Sequence, residues 1–223
     1  MEYISRSIAL IIIILLFPLI ILLMVICFFS QGWPIFFQQE RVGYMFEPFN
    51  IIKFRTMVEN IGGKITEIKD KRITSFGKIL RASKLDEIPQ LLNIVKGDMR
   101  FIGPRPEVFD YFDEESFSFL KIIKPGISDF SSILLRNEDK ILARIGGENP
   151  YLELLPIKLD LAKFYSENKT FHLDLFLVFV TIISIFSPNL SNIILSRIFN
   201  KEDLKHVSVF LKSYVYQSKQ YQV

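Results

Sequence analysis

Asp86 and Glu87 are adjacent carboxylates in an otherwise basic and apolar stretch, Arg81-Ala82-Ser83-Lys84-Leu85-Asp86-Glu87-Ile88-Pro89-Gln90. Two neighbouring acids can hold a divalent cation, or one can attack phosphorus while the other serves the metal. Gly103-Pro104-Arg105-Pro106 follows, with Arg105 set between two prolines in a rigid, turn-like segment. Lys53 and Arg55 alternate with Phe54, which puts both cations on one face of a strand. These cations suit a substrate rich in phosphate. An Asp-Glu pair alone is common at a helix start, where it only complements the dipole. The surrounding cations are what favour a bound anion or metal-phosphate.

Elements must hold these residues in place. Phe36-Phe37, a turn near residues 41–44 and a run over residues 49–57 predict a short β-hairpin. Residues 60–72, with Gly62-Gly63, read as a loop. A first helix is expected over residues 76–82. A second, capped by Ser83, is expected from Lys84 to Val95 and ends at Gly97. Asp86 and Glu87 then fall in its first turn, where free N–H groups favour anions. Pro89 breaks the helix rule beside the two acids, an irregularity expected more at a functional site than elsewhere. After Pro106 the chain reads as largely helical, with breaks at Lys124-Pro125-Gly126 and Gly146-Gly147 and an amphipathic helix over residues 151–166. The expected fold is an α/β domain, mostly helical, with a short β-hairpin.

Composition places this chemistry at a membrane. Half of the 223 residues are hydrophobic, mean hydropathy is +0.30, and there are 22 phenylalanines. A net charge of +3 is too small to argue for nucleic acid, but a mildly basic, apolar chain suits an anionic lipid surface. Residues 8–29 carry no charge and are long enough to cross a bilayer. The run is too long for a signal-peptide core and lacks a small-x-small site after it. Arg6 favours a cytoplasmic N-terminal end. Pro18 kinks the run. The helix then either spans with a bend or dips in and returns with both ends on one face, and the residues alone allow both. Trp33 suits the interface. Residues 173–186, with Asp174 as their one charge, are too short to span and read as buried or interfacial. Residues 197–219 read as an amphipathic helix, lying either on headgroups or on the domain. The single cysteine, Cys27, excludes a disulfide framework and reads as packing.

Other chemistries lack their motifs. There is no P-loop, no Gly-x-Gly-x-x-Gly and no Gly-x-Ser-x-Gly. His172 and His206 have no spaced partners, which argues against zinc hydrolysis and Ser-His catalysis. Two readings remain beside phosphate-group transfer to a lipid. One is a non-catalytic membrane module that binds phospholipid or a partner enzyme; intact Asp86, Glu87, Arg81 and Arg105 speak against it. The other is phosphatidyl transfer to an alcohol, whose several spaced aspartates are absent.

Five motifs occur in order: Arg41-Val42-Gly43; Lys53-Phe54-Arg55-Thr56-Met57; Leu85-Asp86-Glu87-Ile88-Pro89-Gln90-Leu91-Leu92-Asn93; Lys96-Gly97-Asp98-Met99; and Phe101-Ile102-Gly103-Pro104-Arg105-Pro106. With them the chain strongly resembles the bacterial sugar transferase family, the monotopic phosphoglycosyl transferases, over nearly its whole length. The resemblance implies transfer of a sugar 1-phosphate from a nucleotide diphospho-sugar, usually a UDP-sugar, to polyprenyl phosphate. UMP is released, and capsule, O-antigen or exopolysaccharide synthesis begins. It implies Asp86 as nucleophile, forming an aspartyl phospho-sugar, with Glu87 helping to bind Mg²⁺; both acids are candidate metal ligands. It maps Lys53, Arg55, Arg81 and Arg105 onto substrate-binding positions.

The resemblance also implies a re-entrant membrane helix over residues 1–30, a catalytic domain over 31–190 and an amphipathic tail over 191–223. The implied location is the bacterial inner membrane, with the active site on the cytoplasmic face. Two departures stand out. Phe17-Pro18 replaces the family's frequent Ser-Pro. Ser128-Asp129-Phe130-Ser131-Ser132, followed by Arg136-Asn137-Glu138, replaces a common Thr-Gly-Trp-Ala-Gln segment. This region, with Arg136 as a further substrate-binding candidate, is expected to meet nucleotide or sugar.

Overall fold

The computed structural model describes residues 2–58, 72–196 and 205–215. They fall into two compact units, one of residues 2–58, 72–101 and 106–127, the other of 102–105, 128–196 and 205–215. The fold is mostly helical, with two short two-stranded sheets and one long apolar N-terminal helix.

The first unit opens with that helix, α1 (Glu2–Gln31), which runs unbroken through Pro18. The expected hairpin follows as β1 (Phe36–Val42) and β2 (Pro48–Phe54), paired antiparallel from Phe36↔Phe54 to Val42↔Pro48. Its turn is tight: Gly43 N donates to Glu47 O at 2.9 Å, and Met45 and Phe46 take left-handed φ of 55° and 66°. A side chain at Gly43 would collide with the Glu47 carbonyl.

β2 is shorter than expected. The ladder ends at Phe54, and beyond it only Met57 makes an isolated bridge, to Ile73. The chain leaves the sheet because α2 (Ser75–Ser83) docks there. Thr74 caps α2 by accepting from Gly77 N at 2.8 Å, and Gly77 lies so close to the Thr56 carbonyl that no Cβ would fit. A six-residue 3-10 turn, Leu85–Gln90, then leads into α3 (Leu91–Lys96), which ends at Gly97 with φ 94°.

Both core clusters of this unit are built on α1. Ala9 packs with Ile51, Leu91, Ile94 and Met99, while Leu23 and Cys27 pack with Ile35, Phe54 and Leu80. Ala9, Leu23 and Cys27 lie within about 40° of one another around the helix, at 100° per residue. α1 therefore presents one stripe to the protein along its length. Fully burying a Leu or Ile contributes about 1.5–3 kcal/mol, so this stripe is a main source of the unit's stability.

Residues 106–125 do not form the expected helices. They hold short 3-10 turns around an aromatic cluster in which Phe112 meets Phe46 at 5.0 Å and Phe117 at 5.5 Å. Clustered phenylalanines have replaced a 3.6-residue apolar stripe. Flanking prolines favour extended backbone at the segment's ends.

The chain passes between the units along β3 (Arg100–Ile102) and β4 (Gly126–Ser128), a two-stranded sheet that sequence patterning did not predict. Strands of three residues carry too little alternation to be read.

The second unit is helical: α4 (Phe130–Leu134), α5 (Glu138–Ile145), α6 (Pro150–Asn168), α7 (Phe171–Phe186), α8 (Pro188–Ser196) and α9 (Lys205–Phe210), the last running into a wide turn over Leu211–Val215. Asp129 and Ser132 form a capping box at α4. Leu154, Leu161 and Tyr165 of α6 are fully or almost fully buried, as is Phe130 of α4. Tyr165 donates to Ile102 O at 3.3 Å and meets Asp174 Oδ1 at 2.5 Å. The expected amphipathic tail is described only over residues 205–215. There Val207 and Leu211 are buried, and Arg144 donates to Tyr214 O at 2.7 Å, so this part packs on the domain. The remainder of the tail, and the loop expected over residues 60–72 apart from Arg72, lie outside the described residues.

Candidate active site

Asp86 and Glu87 sit on the 3-10 turn between α2 and α3, not in the first turn of an α-helix. Ser83 is the last residue of α2, where its hydroxyl donates to Ile79 O at 2.8 Å, and so it caps nothing downstream. Lys84 ends α2 in a left-handed conformation, φ 60°, with its N–H returned to the Arg81 and Leu80 carbonyls. Pro89 falls within the turn, just before α3. The α-helix thus starts at Leu91, past the proline.

β2 brings Lys53 to this turn. Its Nζ lies 3.2 Å from Glu87 Oε1, and Lys84 Nζ lies 4.0 Å from the same oxygen. The Glu87 side chain is 13% exposed, so this is a half-buried pair and stronger than a surface one. Asp86 is 8% exposed, and its Oδ1 is buried with no hydrogen-bond partner. Burial pushes the Asp86 carboxyl above its ordinary range, and the Glu87 charge adds to this. Lys53, Lys84 and Arg81 pull it partly back. The result is an acceptor oxygen held out of water, within the field of three cations.

The register between strand and turn is set by Asn93, which is fully buried on α3. Its Oδ1 accepts from Ile52 N at 3.1 Å, and its Nδ2 donates to Asn50 O at 2.7 Å. Both bonds hold β2 over the residues just before Lys53, so Asn93 helps to fix where the lysine meets Glu87. Asn93 belongs to the motif read in the sequence, but its role as a strand latch did not follow from its type or spacing. The role of Lys84 is likewise invisible in the sequence, because a left-handed lysine at a helix end has no sequence signature.

The other candidates are placed as follows. Arg81 directs Nη1 toward Met57 Sδ at 3.6 Å, and its charge reaches Asp86. Arg55 is buried beyond the end of β2, and its guanidinium donates to the Gln31 and Gly32 carbonyls at the C-terminal end of α1. The structure therefore joins Asp86, Glu87, Lys53, Lys84 and Arg81, while Arg55 is turned to the C-terminal end of α1. Arg105 and Arg136 belong to the second unit. There the Arg105 N–H donates to Asp129 Oδ2 at 3.3 Å, and Arg136 Nη1 donates to Ser184 Oγ at 3.4 Å. In the first unit, Arg41 of β1 pairs with the buried Glu107 at 3.3 Å and donates to Pro106 O at 3.2 Å. The hydrogen bond to Pro106 links the first of the ordered motifs to the end of the last, beside a half-buried ion pair.

Among the described residues no three His, Cys, Asp or Glu side chains gather as a metal cage. Two adjacent carboxylates, one with an orphaned buried oxygen, fit a cation that takes the rest of its ligands from phosphate and water, which is the habit of Mg²⁺.

Residues 2–188 match the family model described as bacterial sugar transferase. Over 173 residues the chain is 34% identical to a UDP-N-acetylgalactosamine-undecaprenyl-phosphate N-acetylgalactosaminephosphotransferase of Aeromonas hydrophila, covering 74% of this chain and 38% of that protein. It is 36% identical over 154 residues to the sugar transferase EpsL of Bacillus subtilis (strain 168), covering 68% of this chain and 69% of EpsL. It is 33% identical over 174 residues to the exopolysaccharide production protein ExoY of Sinorhizobium fredii, covering 69% and 77%. The aligned part of this chain thus spans well under half of the Aeromonas protein and more than two thirds of the other two.

Proposed function

Because this chain belongs to the bacterial sugar transferase family, we propose that it is a phosphoglycosyl transferase. In this reading it moves a sugar 1-phosphate from a UDP-sugar to undecaprenyl or a related polyprenyl phosphate, beginning exopolysaccharide or capsule synthesis. The observation that carries the reading is Asp86: a buried carboxylate with an unpartnered oxygen, beside Glu87 and in the field of Lys53, Lys84 and Arg81.

An Asp86 carboxylate oxygen attacks the phosphorus that bears the sugar. The P–O bond to the nucleotide's phosphate breaks and UMP leaves, giving an aspartyl phospho-sugar. An oxygen of the polyprenyl phosphate then attacks the same phosphorus, and the Asp86 carboxylate is released unchanged. Two anions must approach at each step, so the nearby cations are the main electrostatic requirement. Lys53 anchors Glu87 and offsets its charge. Lys84 and Arg81 favour the ionised form of Asp86 against its burial. Asp86 and Glu87 would hold Mg²⁺, which draws charge from the diphosphate when bound. Arg105 and Arg136 are further proposed substrate-binding residues.

The acceptor is lipid-anchored, so the helix that serves the site must lie at the lipid surface. α1 would be about 45 Å long at 1.5 Å per residue. Its two ends are both tied to the first unit. Glu2 pairs with Lys124 at 3.0 Å and Arg6 packs against Gly97, while Gln31 bonds Arg55 and receives a hydrogen bond from Thr74. A helix crossing the bilayer would carry one end about 30 Å from the headgroups it left. These ties favour a re-entrant, monotopic arrangement with both ends on the cytoplasmic side. The face of α1 away from the core exposes Ile11, Ile14, Leu15, Phe17 and Leu22 to lipid. In the second unit α7 exposes Phe171, Leu175, Phe179, Ile182 and Phe186, a stripe suited to the interface.

The test is release of UMP by the full chain in detergent or nanodiscs, with a panel of UDP-sugars, polyprenyl phosphate and Mg²⁺. Release that depends on the lipid phosphate, and is lost in Asp86→Asn, is expected. Full turnover by Asp86→Asn refutes the nucleophile.

A further inference from the structure

The 3-10 turn carries a second buried polar group that the reaction described above does not use. Gln90 is 1% exposed, and neither its Oε1 nor its Nε2 has a hydrogen-bond partner. Three residues later, Asn93 is equally buried, yet its carbonyl accepts from Ile52 N and its amide donates to Asn50 O. A buried amide kept for structure is bonded in that way. Leaving an amide's donor and acceptor both unmet destabilises a fold, so such a group marks a site whose partner arrives from outside.

Geometry says which site. A 3-10 turn has three residues per turn, so side chains at i and i+3 eclipse one another. Gln90 is i+3 to Glu87, and the two therefore share the face on which Glu87 meets Lys53 Nζ. The same short turn holds the unpartnered Oδ1 of Asp86. The turn thus offers acceptors from its carboxylates and, from Gln90, an N–H donor that adds no charge. Such a donor strengthens binding of phosphoryl oxygens without opposing ionisation of the neighbouring acid.

We propose that Gln90 contacts the substrate, its Nε2 donating to a phosphoryl oxygen of the donor diphosphate as charge develops there. This rests on the phosphoglycosyl transfer reading above. A preorganised donor at a developing oxyanion is worth about 10²–10³-fold in kcat.

The experiment compares wild type, Gln90→Leu and Gln90→Glu as full chains in detergent, by UMP release and by thermal unfolding. Gln90→Leu keeps the volume and removes both orphan groups. It should hold or raise the melting temperature while kcat falls about 10²-fold or more. Gln90→Glu replaces the donor by an anion and should fall below Gln90→Leu. Three results would overturn the proposal. The first is turnover by Gln90→Leu within about threefold of wild type. The second is Gln90→Glu outperforming Gln90→Leu, which would make the group an acceptor. The third is Gln90→Leu melting several degrees below wild type, which would mean that the fold itself satisfies the amide. If wild type releases no nucleotide from any donor, the reaction reading fails on its own. Stabilisation by a UDP-sugar with Mg²⁺ then decides for Gln90: a shift lost in Gln90→Leu supports the contact, and an equal shift ends it.

Discussion

Replacing Asp86 by asparagine should make the protein more stable as it makes it inactive. Asn preserves shape and removes the charge. In the folded state that charge is desolvated, its Oδ1 has no partner, and Glu87 repels it. Lys53, Lys84 and Arg81 return part of this, but the carboxyl remains pushed upward, so the surroundings on balance disfavour the anion. Asn keeps an acceptor oxygen there, so the gain comes from removing the desolvated and repelled charge; after the attraction of the cations is lost, a net gain of about 1 kcal/mol, the usual size for a single substitution, is expected. In a chain of this size that raises the melting temperature by about 2–4 °C. The pH dependence has a definite sign. Below the unfolded value of about 3.9 both states hold the proton, and wild type carries no penalty. As pH rises the unfolded chain releases its proton first, so wild-type stability falls until Asp86 ionises in the folded state, then levels off. The gap between Asp86→Asn and wild type should therefore open as pH rises from about 4 and then reach a plateau. Added Mg²⁺ should narrow it by stabilising wild type more. Thermal melts in detergent across this range, with and without Mg²⁺, provide the measurement. A variant less stable than wild type at neutral pH, or a gap that closes as pH rises, would refute the view of Asp86 as an ionised group held against its surroundings. Turnover should fall by at least about 10³-fold throughout.

Three further outcomes follow from the packing. Asn93→Leu strands the Ile52 N–H and the Asn50 carbonyl, and should cost about 2–4 kcal/mol in denaturant unfolding while lowering turnover through Lys53. Glu107→Ala leaves the Arg41 guanidinium half-buried without its carboxylate. A loss of about 2–4 kcal/mol is expected, and a double-mutant cycle with Arg41→Met should show coupling. Gly97→Ala puts a side chain at φ 94° and against Arg6, so it should lower the melting temperature and increase proteolysis near the start of α1.

The parts of the fold legible in the sequence are those in which local pattern and tertiary role coincide. The hairpin and α6 are of this kind. Arg55 shows where the pattern stops. Alternation with Lys53 places the two side chains together only while the strand continues, and β2 ends at Phe54 because α2 docks against Thr56. The 3-10 turn reads as helix in the sequence because its apolar spacing suits either, and Pro89 is the one sign of difference. Gln90 gave no signal at all: a polar residue without a partner is a property of packing. The hardest case was α1, since an uncharged apolar run looks the same whether lipid or protein covers it. Only the buried Ala9, Leu23 and Cys27 show that it serves as core.

That double duty has a consequence for how the protein is made. In the membrane role proposed for it, the outer face of α1 can enter lipid as soon as the helix leaves the ribosome. Beyond the nearby Ile35, the inner stripe has nothing to pack on until Ile51, Phe54, Leu80, Ile94 and Met99 have been synthesised. At bacterial elongation rates that wait is several seconds to more than ten. During it, the bilayer is the only apolar surface available to Leu23 and Cys27. In that role, biosynthesis ends with an exchange, in which the narrow inner stripe of the helix gives up lipid contacts for the interior of the domain.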